Sequence, residues 1–173
     1  MAVLIEALSV IVRVDSILKA FSGDWNAFMA IVPNRTLCSD NEIVRIGFMT
    51  PKDVEPFVSK LQSFGLEFLR NDVAIDIVVA DQMSGLLSKC SWLEFGHVNI
   101  NSGKSRISTC RLAGSQIMMV ATPEDWKFEE SLSSTFSFVP NEHVDKMQFL
   151  RHENGLDVYF DPLTGKESYV GRT

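Results

Sequence analysis

Residues 42–66, EIVRIGFMTPKDVEPFVSKLQSFGL, decide the fold, because they carry a strand, a cap, a helix and a stop in succession. Residues 43–49 alternate. Val44, Ile46 and Phe48 share one side and Arg45 and Gly47 the other, as in a strand half-buried on one face. Thr50-Pro51-Lys52-Asp53 then opens a helix, with Thr50 in the capping position and Pro51 at the first helical position. Val54, Phe57, Val58, Leu61 and Phe64 follow at helical spacing as one apolar stripe, and Gly65 occupies the stop position, where a positive φ belongs. Pro56 fits this helix badly if Thr50 is the cap, because it lies past the first turn and removes a backbone bond. Asp53 as the true cap would relieve that conflict, and that register, or a bent first turn, is expected.

Toward the N-terminus, residues 4–14 form a β-branched run that reads as one strand. Asp15 caps a short helix over 16–21, and residues 25–32 return as a strand ended by Pro33-Asn34. Toward the C-terminus, residues 67–70 and 73–80 form a hairpin across Asn71-Asp72. The resulting order, strand–helix–strand–strand–helix–strand, matches the split βαββαβ pattern of ferredoxin-like domains, and it also fits the βαβββ module of vicinal-oxygen-chelate proteins. Both are likenesses of element order alone, and fold does not fix function.

Beyond Ala80, residues 92–100, 105–112 and 116–121 read as three successive strands, with turns at 101–104 and 113–115. Thr122-Pro123-Glu124-Asp125 repeats the earlier capping chemistry and predicts a second helix. Residues 131–140 read as a strand or packed loop, residues 142–152 as a helix capped by Asn141, and residues 156–170 as a hairpin turning over 161–166. The expected fold is α+β, a mostly antiparallel sheet with helices packed on one face. No linker divides the chain, so residues 1–173 are expected to form one domain.

A net charge of −6 argues against a general nucleic-acid binder, which needs basic surface to release counterions. The three cysteines, Cys38, Cys90 and Cys110, have no paired spacing and read as reduced thiols of a cytoplasmic protein. The apolar N-terminus lacks a basic leader and is too short to span a bilayer, so no membrane partner is expected. No HExxH, Walker A, GxGxxG or GxSxG motif is present, and neither a cofactor nor a metal is expected.

The best chemical cluster is Asp81, Gln82, Trp92, Glu94 and His97, with Asp76 nearby. Asp81 and Gln82 close a strand, where loops often build sites. On the next strand Trp92 and Glu94 are two apart and would line one side of a pocket. Asp81 or Glu94 would then serve as a base or anchor a polar ligand. The plainer reading is a solvated strand face, with Asp81 capping a turn and Trp92 in a minor core. His97 as a metal ligand beside Cys90 or Glu94 lacks diagnostic spacing, and His143 and His152 point to different sides of their helix. Lys104, Arg106 and Arg111, with Arg45, could receive an anion, or else form an ordinary solvated hairpin. The runs 4–14 and 116–121 read as interior strands, and an edge position for either would imply a homodimer through that sheet. The functional expectation is a non-catalytic module binding a small ligand or partner. The alternatives are a cofactor-independent enzyme using a carboxylate or histidine, and an interaction protein acting as a homodimer.

Overall fold

The computed structural model describes residues 1–135, 148–153, 156–162 and 165–171. The chain divides into two compact units, Met1–Asp125 and Trp126–Thr173. In order, the first contains β1 (Ala2–Ile5), β2 (Leu8–Arg13), α1 (Val14–Ala20), α2 (Trp25–Ile31), β3 (Cys38–Ser39), β4 (Ile43–Phe48) and α3 (Pro51–Ser63). It continues with β5 (Leu69–Arg70), β6 (Val73–Ala74), β7 (Ile77–Asp81), β8 (Gly85–Leu86), β9 (Leu93–Ile100), β10 (Ser105–Leu112) and β11 (Val120–Ala121). The fold is α+β with mostly antiparallel pairing. A five-stranded sheet runs β3-β4-β2-β7-β8, a four-stranded sheet β11-β1-β10-β9, and β5-β6 form a small hairpin.

Two apolar layers explain this arrangement. Val10, Val12, Val44, Ile46, Ile77 and Val79 leave the five-stranded sheet on one side to meet Ile17 of α1, Phe28 of α2 and Val54, Phe57, Val58 and Leu61 of α3. The α3 residues are the stripe that helical spacing predicts. On the sheet's other side, Ile11, Ile43, Val78 and Ala80 meet Val3, Ile5, Leu93 and Cys110 of the four-stranded sheet. Helices cover one face of the central sheet and a second sheet covers the other. All six residues of β4 are buried, so this strand is not half-exposed as its alternation suggested.

Several local expectations give way to tertiary context. Residues 25–32 are helical over Trp25–Ile31, because Asp24 caps the Ala27 N–H at 2.8 Å and Trp25 and Phe28 face the core at helical spacing. The element order therefore departs from βαββαβ at this point. α3 starts at Pro51 with Thr50 as N-cap, so Pro56 does lie inside the helix, where it is solvent-exposed and omits one backbone bond. Asn71 and Asp72 take φ of 51° and 63°, the mirror-image turn that closes β5 onto β6 as expected. The expected strand at 73–80 is broken at Ile75-Asp76, whose amides bond Phe68 and Glu67 carbonyls.

The run at 4–14 is two strands in two sheets, bent at Glu6-Ala7. Its β2 half is central and buried, as a β-branched run should be. Of 116–121 only Val120–Ala121 is a strand, at the edge of its sheet and parallel to β1. Thr122-Pro123-Glu124-Asp125 opens no helix. Asp125 takes φ 60°, and no helical apolar stripe follows it to reward the turn with a core.

The second unit holds α4 (Leu132–Thr135) and a meander of β12 (Gln148–Glu153), β13 (Leu156–Asp161) and β14 (Lys166–Gly171). The C-terminal hairpin of β13 and β14 forms as expected, with the pairing extending to Asp161 opposite Lys166. The helix expected at 142–152 is overturned over 148–152, which pair as a strand with β13; residues 142–147, like 136–140 of the preceding segment, lie outside the described residues. Among the described residues no helix is long and apolar enough to cross a membrane.

Candidate functional site

The five candidate residues sit at the end of β7, in the β7–β8 turn, just before β9 and on β9, and four of them are held by hydrogen bonds with a structural consequence. Asp81 Oδ1 accepts the N–H groups of Met83 and Ser84, both at 2.8 Å, and so closes the turn that pairs Asp81 with Gly85. Gln82 is 2% exposed, and it clamps the bend between β1 and β2. The Ala7 N–H donates to Gln82 Oε1 at 2.8 Å, and the Gln82 N–H donates to the Ala7 carbonyl at 2.8 Å. Trp92 lies in the core between the sheets, its Nε1 donating to the Ala74 carbonyl at 3.2 Å, with the Arg13 guanidinium 5.6 Å from the ring centre.

Glu94 is on the opposite, exposed face of β9, where its Oε2 receives Arg111 Nε and Nη2, both at 2.8 Å. Trp92 and Glu94 therefore do not line one wall. The strand begins at Leu93, so Trp92 is outside the alternation that would have placed it beside Glu94. His97 faces inward on β9, its ring edge-on to Phe95 with centroids 5.3 Å apart. Ser108 lies directly opposite His97 in the ladder, and its hydroxyl donates to the Gln82 carbonyl at 2.8 Å. The fold thus brings Gln82 and His97 together through Ser108, places Asp81 at the margin, and separates Trp92 and Glu94. Asp76 stands apart from them, its carboxylate accepting Ser16 Oγ at 2.6 Å and the Glu67 N–H at 2.7 Å.

Burial holds the His97 imidazole below its ordinary pKa of 6.5, and nearby Arg106 adds to the shift. The unfolded chain therefore takes up a proton at this ring before the folded protein does, and stability falls as pH drops below that value. Urea melts at pH 7.5 and pH 5.5 should show a larger loss for wild type than for His97→Gln. Equal losses would remove His97 as a source of the pH dependence.

A buried side chain with three hydrogen bonds is one that alternation had placed on the face opposite Val44, Ile46 and Phe48. Arg45 is 2% exposed. Its Nε donates to Ser9 Oγ at 2.8 Å, Nη1 to the Thr36 carbonyl at 3.1 Å and Nη2 to the Glu6 carbonyl at 2.8 Å. Arg45 is therefore not available to receive an anion alongside Lys104, Arg106 and Arg111. The guanidinium lies over Gly47, where an added Cβ would come within 2.6 Å of Nη2. That glycine, two residues along the same strand face, was the available signal that Arg45 folds inward. Burial lowers the Arg45 pKa, yet arginine stays cationic at any ordinary pH.

Beside it the Cys38 thiol is pushed up to about 11, first by burial, and Cys110 is raised further for the same reason. All three cysteines are free thiols, and the two buried ones are held protonated and unreactive. Among the described residues no three His, Cys, Asp or Glu side chains converge on a metal-binding position.

Among the described residues, no backbone hydrogen bond reaches the outer edge of β9. β9 pairs with β10 in unbroken register from Leu93 opposite Leu112 to Ile100 opposite Ser105, and it ends the four-stranded sheet. The other sheet-ending strands of this unit's two large sheets, β3, β8 and β11, have two residues each, whereas β9 has eight. No known family, curated protein or solved structure matches the chain.

Proposed function

We propose that the protein is a soluble, cytoplasmic, non-catalytic module that binds an extended segment of a partner protein along the edge of β9. The length of that edge carries the reading. Natural sheets blunt such edges with proline, lysine, bulges or brevity, because each unpaired N–H and C=O is a template for another strand. The sequence LEFGHVNI has none of these devices, and its single charge, Glu94, is already paired with Arg111. Gly96, at mid-strand, has open space where a side chain would stand, which suits the close approach of another backbone. Main-chain bonds would supply affinity, and the alternating positions of β9 would supply selectivity.

The engagement of Asp81, Gln82 and Glu94 in structural bonds supports binding over acid–base catalysis. Free, largely buried thiols fit a reducing compartment. The reading is tested with a phage-displayed library of random twelve-residue peptides, followed by amide shifts of the labelled protein with any peptide selected. Perturbations concentrated at residues 93–100, together with weaker binding by Val98→Lys, are expected. Failure to select any peptide, or perturbations that map elsewhere, would overturn it.

A further inference from the structure

The bend at Glu6-Ala7 is imposed on a segment that prefers to be straight. Residues 2–13, AVLIEALSVIVR, are rich in β-branched residues and read locally as one strand, yet two residues divert β1 into a different sheet from β2. The turn requires Ala7 at φ 47°, a left-handed conformation that an alanine adopts rarely and at a cost. No glycine, proline or asparagine is present to favour it. What holds the bend comes mostly from distant chain. Gln82 makes its two bonds to Ala7, Arg45 Nη2 reaches the Glu6 carbonyl, and Ser9 Oγ adds a bond to the same carbonyl at 3.3 Å.

β1 itself occupies a slot between β10 and β11. Val3 lies opposite Cys110, Leu4 opposite Thr109 and Ile5 opposite Ser108 on one side, and Ala2 opposite Val120 on the other. All four β1 residues are fully buried. Were Ala7 to relax into the extended region, β1 and β2 would join into one strand, and each slot would stand empty in a form complementary to β1 alone.

We propose that β1 exchanges between two copies of this chain, with Glu6-Ala7 as the hinge and Gln82 as the latch that keeps β1 in its own slot. The exchanged dimer remakes every β1 contact seen in the single chain and releases the left-handed alanine, so only the latch bonds and the entropy of association oppose it. This surface is separate from the β9 edge, and the partner is a second copy of the chain.

The test uses the whole 173-residue chain. A chain carrying Val3→Cys and Cys110→Ser is mixed with wild type at high concentration, incubated a few degrees below melting, cooled and oxidised with copper–phenanthroline. A disulfide joining position 3 to Cys110 can then form only between chains, because the donor chain has no thiol in its own slot. Peptide mapping should find that 3–110 link, and it should disappear when the second chain carries Cys110→Ser. Adding Gln82→Ala to both chains should raise the linked fraction about tenfold, the effect of losing one buried hydrogen bond. Ala7→Pro should raise it as well, because proline cannot adopt a positive φ. Absence of the 3–110 link in the near-wild-type mixture would overturn the exchange whether or not the latch variants fold. A linked fraction unchanged by both latch variants would overturn the role given to Gln82 and Ala7.

Discussion

Arg45→Met is expected to lose about 2–5 kcal/mol of folding stability, because the buried acceptors that its guanidinium meets are left without that donor. Methionine fills much of the volume but donates nothing, so the Thr36 carbonyl and Ser9 Oγ lose the donor that now meets them, and the Glu6 carbonyl keeps only its 3.3 Å bond from Ser9 Oγ. Each orphaned buried acceptor costs about 1–3 kcal/mol. The same knot gives Gly47→Ala an unusual signature. An added methyl would stand 2.9 Å from the Arg45 Cζ, so the single change should cost about 1–3 kcal/mol by overpacking. With methionine at position 45 the guanidinium is gone, and the alanine should cost close to nothing. Urea denaturation of both single variants and the double variant measures the coupling. Strict additivity, or a loss below about 1 kcal/mol for Arg45→Met, would mean that the bonds of this guanidinium and its packing over Gly47 contribute little to the fold.

Phe28→Ala is expected to cost about 3–5 kcal/mol, as for other large aromatic truncations in cores. Phe28 is fully buried, with its ring edge-on to Phe21 at 5.7 Å and near Trp25 at 5.4 Å. It is the buried anchor of α2, the helix that stands where local pattern suggested a strand. At about 2–4 °C per kcal/mol for a chain of this size, the melting temperature should fall by roughly 6–20 °C. A calorimetric shift of only a degree or two would show that α2 is not docked through this ring.

Much of the architecture was legible from periodicity, because burial rewards apolar residues at the spacing of the element that buries them. The stripe of α3, the long strands β9 and β10, the Asn71-Asp72 turn and the C-terminal hairpin all declare themselves this way. Where two readings were locally close, tertiary contacts decided. Asp24 as a cap tipped residues 25–31 into a helix, and pairing with β13 drew residues 148–153 out of the helix expected there. The candidate site was legible only as a neighbourhood. Asp81, Gln82 and His97 do lie near one another, but the bonds that engage the first two reach Ala7 and a turn amide pair, which no spacing rule connects to them.

By itself the sequence determined which segments could form sheet or helix, since that follows from local sterics and the period of apolar residues. It also determined that the thiols have no paired framework and that the chain lacks the common catalytic signatures. Only the tertiary structure decided that the face of Arg45 would be covered by a second sheet, that one β-branched run would bend into two, and that β9 would end its sheet. Those outcomes depend on which elements meet across long separations in the chain, as when residue 82 meets residue 7. Such meetings are set by the shared burial of many surfaces at once, and no single window of sequence contains them.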